Sequence, residues 1–96
     1  MTEHQGVVMQ MGCQVHRHRE LVPIEKHHVW PLGQGGPNVE GNKVTVCANG
    51  HYSIHALLDL LLKGRGQVPW SVRRQYGRGV RKYAQLGYER IQRGAL

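Results

Sequence analysis

The chain has 96 residues, a formal net charge of +7 and two cysteines. This length allows one small domain with a limited core, which a bound metal ion could support. Two cysteines exclude the disulfide framework of secreted mini-domains. No apolar run reaches about 18 residues, which excludes a membrane span. The first residues lack the pattern of a secretory signal, so a cytoplasmic location is expected.

The charge is distributed unevenly along the chain. Residues 63–96 contain nine Lys or Arg and one acidic residue, whereas residues 1–62 contain four basic and five acidic residues. A nearly neutral body is therefore followed by a strongly basic C-terminal part. Such asymmetry predicts a polyanionic partner.

The first part of the chain predicts one strand and a long loop. Residues 1–20 show little pattern and are interpreted as an N-terminal lead-in. The apolar run that begins at Leu21 predicts a strand ending near Trp30. Pro31 and the glycines of residues 33–36 then predict a loop.

A second strand and a helix follow this loop. Residues 42–47 form a short β-branched run, which predicts the second strand of a hairpin. Asn49 is a candidate helix cap, and a helix is predicted over residues 51–63 because apolar residues recur there with helical spacing. Gly64 and Gly66 end it. The predicted core domain, residues 21–64, is therefore α+β, in the order strand, loop, strand, helix.

The remaining residues, 65–96, are predicted to form a basic and partly helical C-terminal extension. Ser71 is a candidate N-cap, and helical tendency continues to about Arg93. Three internal glycines interrupt it, and each costs about 1 kcal/mol relative to alanine. The expectation is a helix that is broken or that forms only against a partner. These glycines are Gly77, Gly79 and Gly87.

Four histidines and one asparagine stand in the order His27, His28, Asn42, His51, His55. His51 and His55 are four residues apart, so on a helix both imidazoles would face a common ion. Neighbouring residues of a strand point to opposite sides, so His27 could add a third imidazole. His28 would then be free to take a proton from water. Three ligands with an open position beside a base describe a hydrolytic metal centre.

These residues belong to a longer pattern that spans about residues 25–63. It consists of Glu25-Lys26-His27-His28-Val29-Trp30-Pro31, Gly35-Gly36, Asn42, Val46-Cys47 and Gly50-His51-Tyr52-Ser53-Ile54-His55. The pattern resembles the HNH endonuclease family, and is similar to the nuclease domains of DNase colicins and to small HNH proteins of phages. The resemblance implies the ββα-metal (His-Me finger) fold, and it suggests a phage origin, with the host cytoplasm as the location.

The resemblance also implies an activity, the metal-dependent hydrolysis of DNA phosphodiester bonds. His28 would act as general base, and a divalent ion on His27, His51 and His55 would stabilise the transition state. Imidazole ligands favour zinc or another transition ion, although Mg²⁺ or Mn²⁺ could support turnover. Asn42 would orient the His28 ring or, alternatively, brace the loop.

Glu25 occupies an acidic position of the colicin-like members. It would steady a histidine or an arginine from behind the metal ligands. The alternative is a solvated surface charge.

The cysteines depart from a pattern common in HNH domains, in which two CxxC pairs hold a structural zinc. Here the second pair reads Cys47-Ala48-Asn49-Gly50, so a four-cysteine knuckle is excluded. Cys47 is expected to be a small buried residue. A bolder interpretation joins Cys13, His16 and His18 as partial ligands of a second zinc.

Basic residues are expected to contact DNA, and double-stranded DNA is the favoured partner. Lys and Arg neutralise phosphates and supply affinity rather than sequence choice. Arg17 and Arg19 would clamp the scissile phosphate. The C-terminal candidates are Arg73, Arg74, Arg78, Arg81 and Lys82.

Two alternatives to a nuclease remain at this point. One is a non-catalytic, metal-stabilised protein that binds nucleic acid through its basic part. The other is a small RNA- or ribosome-associated basic protein in which the histidine spacing is accidental. DNA binding without cutting would favour the first alternative over a nuclease. Failure to bind any metal ion would favour the second.

Overall fold

A three-stranded antiparallel sheet packs against one long helix, and a second long helix packs against the first. The computed structural model describes residues 8–10 by their backbone, and residues 13–16 and 22–94 in full. The strands are β1 (Val8–Gln10), β2 (Val22–His28) and β3 (Lys43–Cys47), with β2 in the middle. The two strands predicted from the sequence are β2 and β3.

The first strand lies within the predicted lead-in, which the sequence pattern did not identify as a strand. It pairs with β2 so that Val8 faces Ile24 and Gln10 faces Val22. Three residues are too few to show a clear alternation of polar and apolar positions, and for this reason the sequence pattern did not predict β1.

The helices are α1 (Ala48–Lys63), α2 (Trp70–Arg73) and α3 (Arg78–Gly94). Two short 3₁₀ turns, Leu32–Gln34 and Glu40–Asn42, lie in the loop between β2 and β3. The small α+β class and the order strand, loop, strand, helix are therefore confirmed. None of the helices in the described residues combines the length and apolar character that crossing a bilayer requires.

Helix α1 begins three residues earlier than predicted, and Asn49 is not its cap. The N-cap is Cys47, whose sulfur accepts a hydrogen bond from the Gly50 N–H at 3.3 Å. The side-chain sulfur replaces one of the backbone partners that a helix lacks in its first turn. Gly64 ends the helix, as predicted.

Helix α2 also differs from the prediction at its start. Its N-cap is Pro69, with no side-chain cap hydrogen bond, so Ser71 lies within the helix. Proline is suited to a helix start because the missing N–H would lack a helical partner there.

The predicted helical segment is broken at residues 74–77, which include Gly77, whereas α3 is continuous through Gly79 and Gly87, where interruptions were also expected. Both glycines lie where another backbone approaches. A Cβ at Gly79 would lie 2.9 Å from Cα of Val15, and one at Gly87 would lie 2.7 Å from the Val29 carbonyl oxygen. Tertiary packing outweighs the helix propensity cost of about 1 kcal/mol for each glycine.

The hydrophobic core joins the C-terminal helix to the rest of the protein. Helices α1 and α3 pack against each other. The sheet is covered by the same cluster. Its buried members are Val46, Ile54, Leu57, Leu58, Leu61, Val80, Ala84 and Ile91.

Candidate metal centre

Three histidines from two elements converge on one point. Strand β2 supplies His27, and successive turns of α1 supply His51 and His55. Their ring centroids are 5.1 Å apart for both pairs that include His27, and 4.8 Å apart for His51 and His55. One ligand atom of each ring lies within 4.8 Å of the others. The structure therefore brings together the three residues predicted to hold an ion.

His27 is fully buried, and neither of its ring nitrogens has a hydrogen-bond partner among the described residues. Burial, followed by the nearby charges of His51 and His55, lowers the pKa of His27 from 6.5 to about 3. The ring is therefore neutral at physiological pH and carries a lone pair. Buried polar atoms without partners are rare in proteins, and a metal ion would give one of these two ring nitrogens a partner.

The two helix histidines have a spacing that suits coordination. Their Nε2 atoms are 3.1 Å apart. Metal–nitrogen bonds of about 2.0–2.1 Å in a tetrahedral zinc site place two ligand nitrogens about 3.3 Å apart. Loss of hydration around the ring, and then the charge of His51, lower the pKa of His55, which also favours the neutral ligand form. The residues present fit a zinc-like ion.

Glu25 fixes the orientation of one ligand. Its Oε1 lies 2.7 Å from Nδ1 of His51, and both side chains are partly buried. Nδ1–H donates to the carboxylate, which leaves the Nε2 lone pair directed towards the other histidines. The sequence analysis left open a contact of Glu25 with a histidine, a contact with an arginine, or a solvated surface charge. The structure shows the contact with a histidine.

His28 projects from β2 away from His27 and contacts a loop residue. Its Nε2 lies 3.1 Å from Oδ1 of Asn38, an oxygen that only accepts hydrogen bonds. Nε2–H is therefore the donor, and Nδ1 carries the lone pair that could accept a proton. Sequence reasoning missed Asn38, and its position in the loop offered no signal.

Asn42 does not hold the His28 ring. Its side-chain oxygen accepts from the Trp30 N–H at 2.9 Å, and its side-chain nitrogen donates to the carbonyls of Trp30 and Pro37 at 2.8 and 2.9 Å. The alternative role, bracing the loop, is the one observed. Asn42 is buried, so the three hydrogen bonds replace water that it cannot reach.

The basic residues predicted to contact DNA differ in their exposure and in their contacts within the chain. Arg81 donates to the Tyr76 carbonyl at 2.6 Å and lies over the Trp70 ring, so its guanidinium has partners within the chain. Lys82 lies near the Tyr83 ring but is exposed.

Arg17 and Arg19 lie outside the described residues. Arg74 and Arg78 are exposed, and Arg73 is partly buried; two exposed arginines of α3 that the sequence analysis did not single out are Arg90 and Arg93.

A second group of metal-ligand side chains lies apart from the histidine site. It consists of Cys13, His16 and Cys47, whose ligand atoms lie within 4.8 Å of one another. The expected group contained His18, which lies outside the described residues, and did not include Cys47. The spacing of Cys13 and His16 was a usable signal, but a pairing with a residue more than 30 positions away was not.

Comparisons with protein-family models, curated proteins and solved structures find no match to this chain. The arrangement of the side chains therefore carries the argument for function.

Proposed function

We propose that the protein is a metal-dependent endonuclease of the HNH, ββα-metal type that hydrolyses phosphodiester bonds in DNA. The observation that carries the proposal is the buried His27, which faces His51 and His55 and whose ring nitrogens have no hydrogen-bond partner among the described residues. The strand, loop, strand, helix order is compatible with that fold. His28, the neighbour of His27 in β2, would supply a base that a purely structural site does not need.

His27, His51 and His55 would hold the ion. When bound, the ion would supply positive charge that stabilises the negatively charged transition state and the leaving 3′ oxygen. Three protein ligands leave a coordination position open, as in catalytic rather than closed structural sites.

His28 would supply the proton transfer. Its Nδ1 lone pair accepts a proton from water as the water oxygen forms a bond to phosphorus. The bond from phosphorus to the 3′ oxygen breaks, and a proton from solvent completes the new hydroxyl. The hydrogen bond from Nε2–H to Asn38 keeps the basic nitrogen at Nδ1.

The exposed arginines of the C-terminal helices would contact the DNA backbone. A net charge of +7 favours association with a polyanion. Contacts of this kind are independent of base sequence and weaken with salt.

The test is nicking of supercoiled plasmid by the metal-free wild type and by His28→Ala, each with Mg²⁺, Mn²⁺, Ni²⁺ or Zn²⁺ added. We expect metal-dependent nicking by the wild type and a loss of at least about 100-fold in His28→Ala, since general-base catalysis contributes about that much. Metal binding should persist. Lys26→Ala is the matched control because Lys26 is an exposed residue of the same strand.

Other outcomes separate the alternatives. If the wild type binds metal and retards DNA but never cuts it, the protein is a non-catalytic nucleic-acid-binding protein. If it binds no metal ion, the histidine arrangement is accidental and the nuclease proposal is wrong.

A further inference from the structure

The second cluster, formed by Cys13, His16 and Cys47, joins distant parts of the chain. Cys13 and His16 flank a bend that is tied to β3 by a hydrogen bond from the Gln14 N–H to the Thr45 carbonyl, 2.9 Å long. Cys47 ends β3 and caps α1. One cluster therefore connects the N-terminal segment to the strand–helix junction.

The atoms of the cluster are arranged as metal ligands are. Nδ1 of His16 lies 3.1 Å from Sγ of Cys47. For a tetrahedral zinc with the usual bond lengths, a nitrogen and a sulfur ligand are about 3.6 Å apart. Both cysteines are thiols rather than a disulfide. Small shifts of the side chains would bring the three atoms onto one ion.

Backbone amides support the sulfurs from behind. The Cys47 N–H donates to Sγ of Cys13 at 3.1 Å, and the Gly50 N–H donates to Sγ of Cys47 at 3.3 Å. Hydrogen bonds of this kind orient metal ligands and stabilise negative charge on sulfur. They are the contacts that a thiolate coordinating an ion needs.

The surroundings determine how many ligands the protein supplies. A Cβ at Gly50 would lie 3.5 Å from Sγ of Cys47 and 3.6 Å from Cε1 of His16, so position 50 faces the cluster directly. The same Cβ would lie 2.3 Å from a methyl group of Val15. Val15 thus occupies the space beside the cluster that a side chain at position 50 would need, and the described residues offer three ligands.

We propose that Cys13, His16 and Cys47 form a second, thiolate-containing zinc site. Sulfur and imidazole ligands are the combination that zinc prefers. The site is separate from the histidine centre, and its existence does not depend on nuclease activity. It would fasten residues 13–16 to the start of α1.

The position of Val15 extends this role to the second long helix. A Cβ at Gly79, near the start of α3, would lie 2.9 Å from Cα of Val15. The short segment between the two N-terminal ligands thus lies against the beginnings of both α1 and α3. An ion that holds this segment would stabilise the packing of both helices, including the first turn that carries His51.

The test uses cobalt in place of zinc, in the reduced full-length protein. Thiolate bound to Co²⁺ gives an intense charge-transfer absorption that imidazole ligands do not give. Because the chain has two cysteines, that absorption reports this cluster alone. We expect two Co²⁺ per chain in the wild type, with the thiolate absorption present.

Variants assign the two ions. Cys13→Ser should bind one Co²⁺ and lose the thiolate absorption, whereas His55→Ala should lose the other ion and keep the absorption. If Cys13→Ser fails to fold, the wild-type spectrum decides alone. A wild type that binds metal without thiolate absorption, or whose mass shows a disulfide between the two cysteines under reducing conditions, would overturn the proposal.

Discussion

Burial of the His27 ring has an energetic cost that metal binding would offset. An unpaired buried polar group costs about 1–3 kcal/mol, and His27 buries two ring nitrogens without partners among the described residues. Binding of structural zinc supplies about 10–16 kcal/mol. That energy is shared by all the ligands of a site, and coordination through one ring nitrogen of His27 would offset the cost of burying that nitrogen.

Two asparagines of the same loop have different roles and should give opposite results on substitution. Asn42→Ala removes three hydrogen bonds that hold the loop, so the free energy of unfolding should fall by about 2–3 kcal/mol. Asn38→Ala removes one exposed contact to His28, so unfolding should change by less than about 0.5 kcal/mol. Urea denaturation measures both.

Under the proposed nuclease function, the cleavage rate of Asn38→Ala should fall although its stability hardly changes. Without its oxygen the His28 ring is no longer held in one tautomer, and kcat should fall about tenfold, equivalent to about 1.4 kcal/mol. Restoring an acceptor with Asn38→Asp should recover activity. Wild-type kcat in Asn38→Ala would mean that the contact has no part in orienting the base.

At the scale of elements, the start of α1 sets the geometry of the site. Because Cys47 caps the helix, His51 lies in its first turn, where the helix dipole opposes a cation by about 0.3–1 kcal/mol. The carboxylate of Glu25 lies 2.7 Å from His51 and supplies a full negative charge there. The pairing of strand and helix thus compensates for a position that the helix alone would disfavour.

The close approach of α3 to Val29, directly after β2, leads to a prediction about glycine. Gly87→Ala should destabilise the protein by at least about 1 kcal/mol, although alanine is the better helix former by about that amount. The added Cβ would lie 2.7 Å from the Val29 carbonyl oxygen and force the helix away. Thermal denaturation measures the change. Gly77→Ala is the control because, within the part of the chain that the structure describes, nothing beyond its chain neighbours lies within 4 Å of its Cβ position. A Gly87→Ala protein as stable as this control would contradict the packing described.

Stability of the whole molecule should depend on pH when metal has been removed. The folded-state pKa of His27 is about 3, against 6.5 for an ordinary histidine. Between these values the unfolded chain takes up a proton that the folded protein does not. The contribution of His27 is therefore fully present above pH 6.5, and the free energy of unfolding should fall by about 1.4 kcal/mol per pH unit as the pH decreases towards 3.

The measurement is urea denaturation of the chelated protein at several pH values, compared with His27→Leu. Other titrating groups are common to both proteins, so the difference between the two curves isolates His27. Parallel curves across this range would show that His27 is protonated in the folded state. Metal-loaded protein should lose its ion over the same range, because protons compete for the ligands.

Local patterns in the sequence determined much of this protein. The alternation along β2 separates His27 from His28, and the helical repeat of α1 places His51 and His55 on one side, because both periodicities are properties of the backbone. The small α+β class, the order of elements and the apolar face of α1 follow in the same way.

Contacts between distant residues were decided only by the tertiary structure. The sequence offered two roles for Asn42, and packing of the loop selected one; it gave no sign that Asn38 meets His28 or that Cys47 meets His16. The glycines of α3 indicated a broken helix, yet close packing on Val15 and Val29 keeps it continuous. Each of these outcomes depends on which surfaces meet in the folded chain, and local propensity carries no information about that.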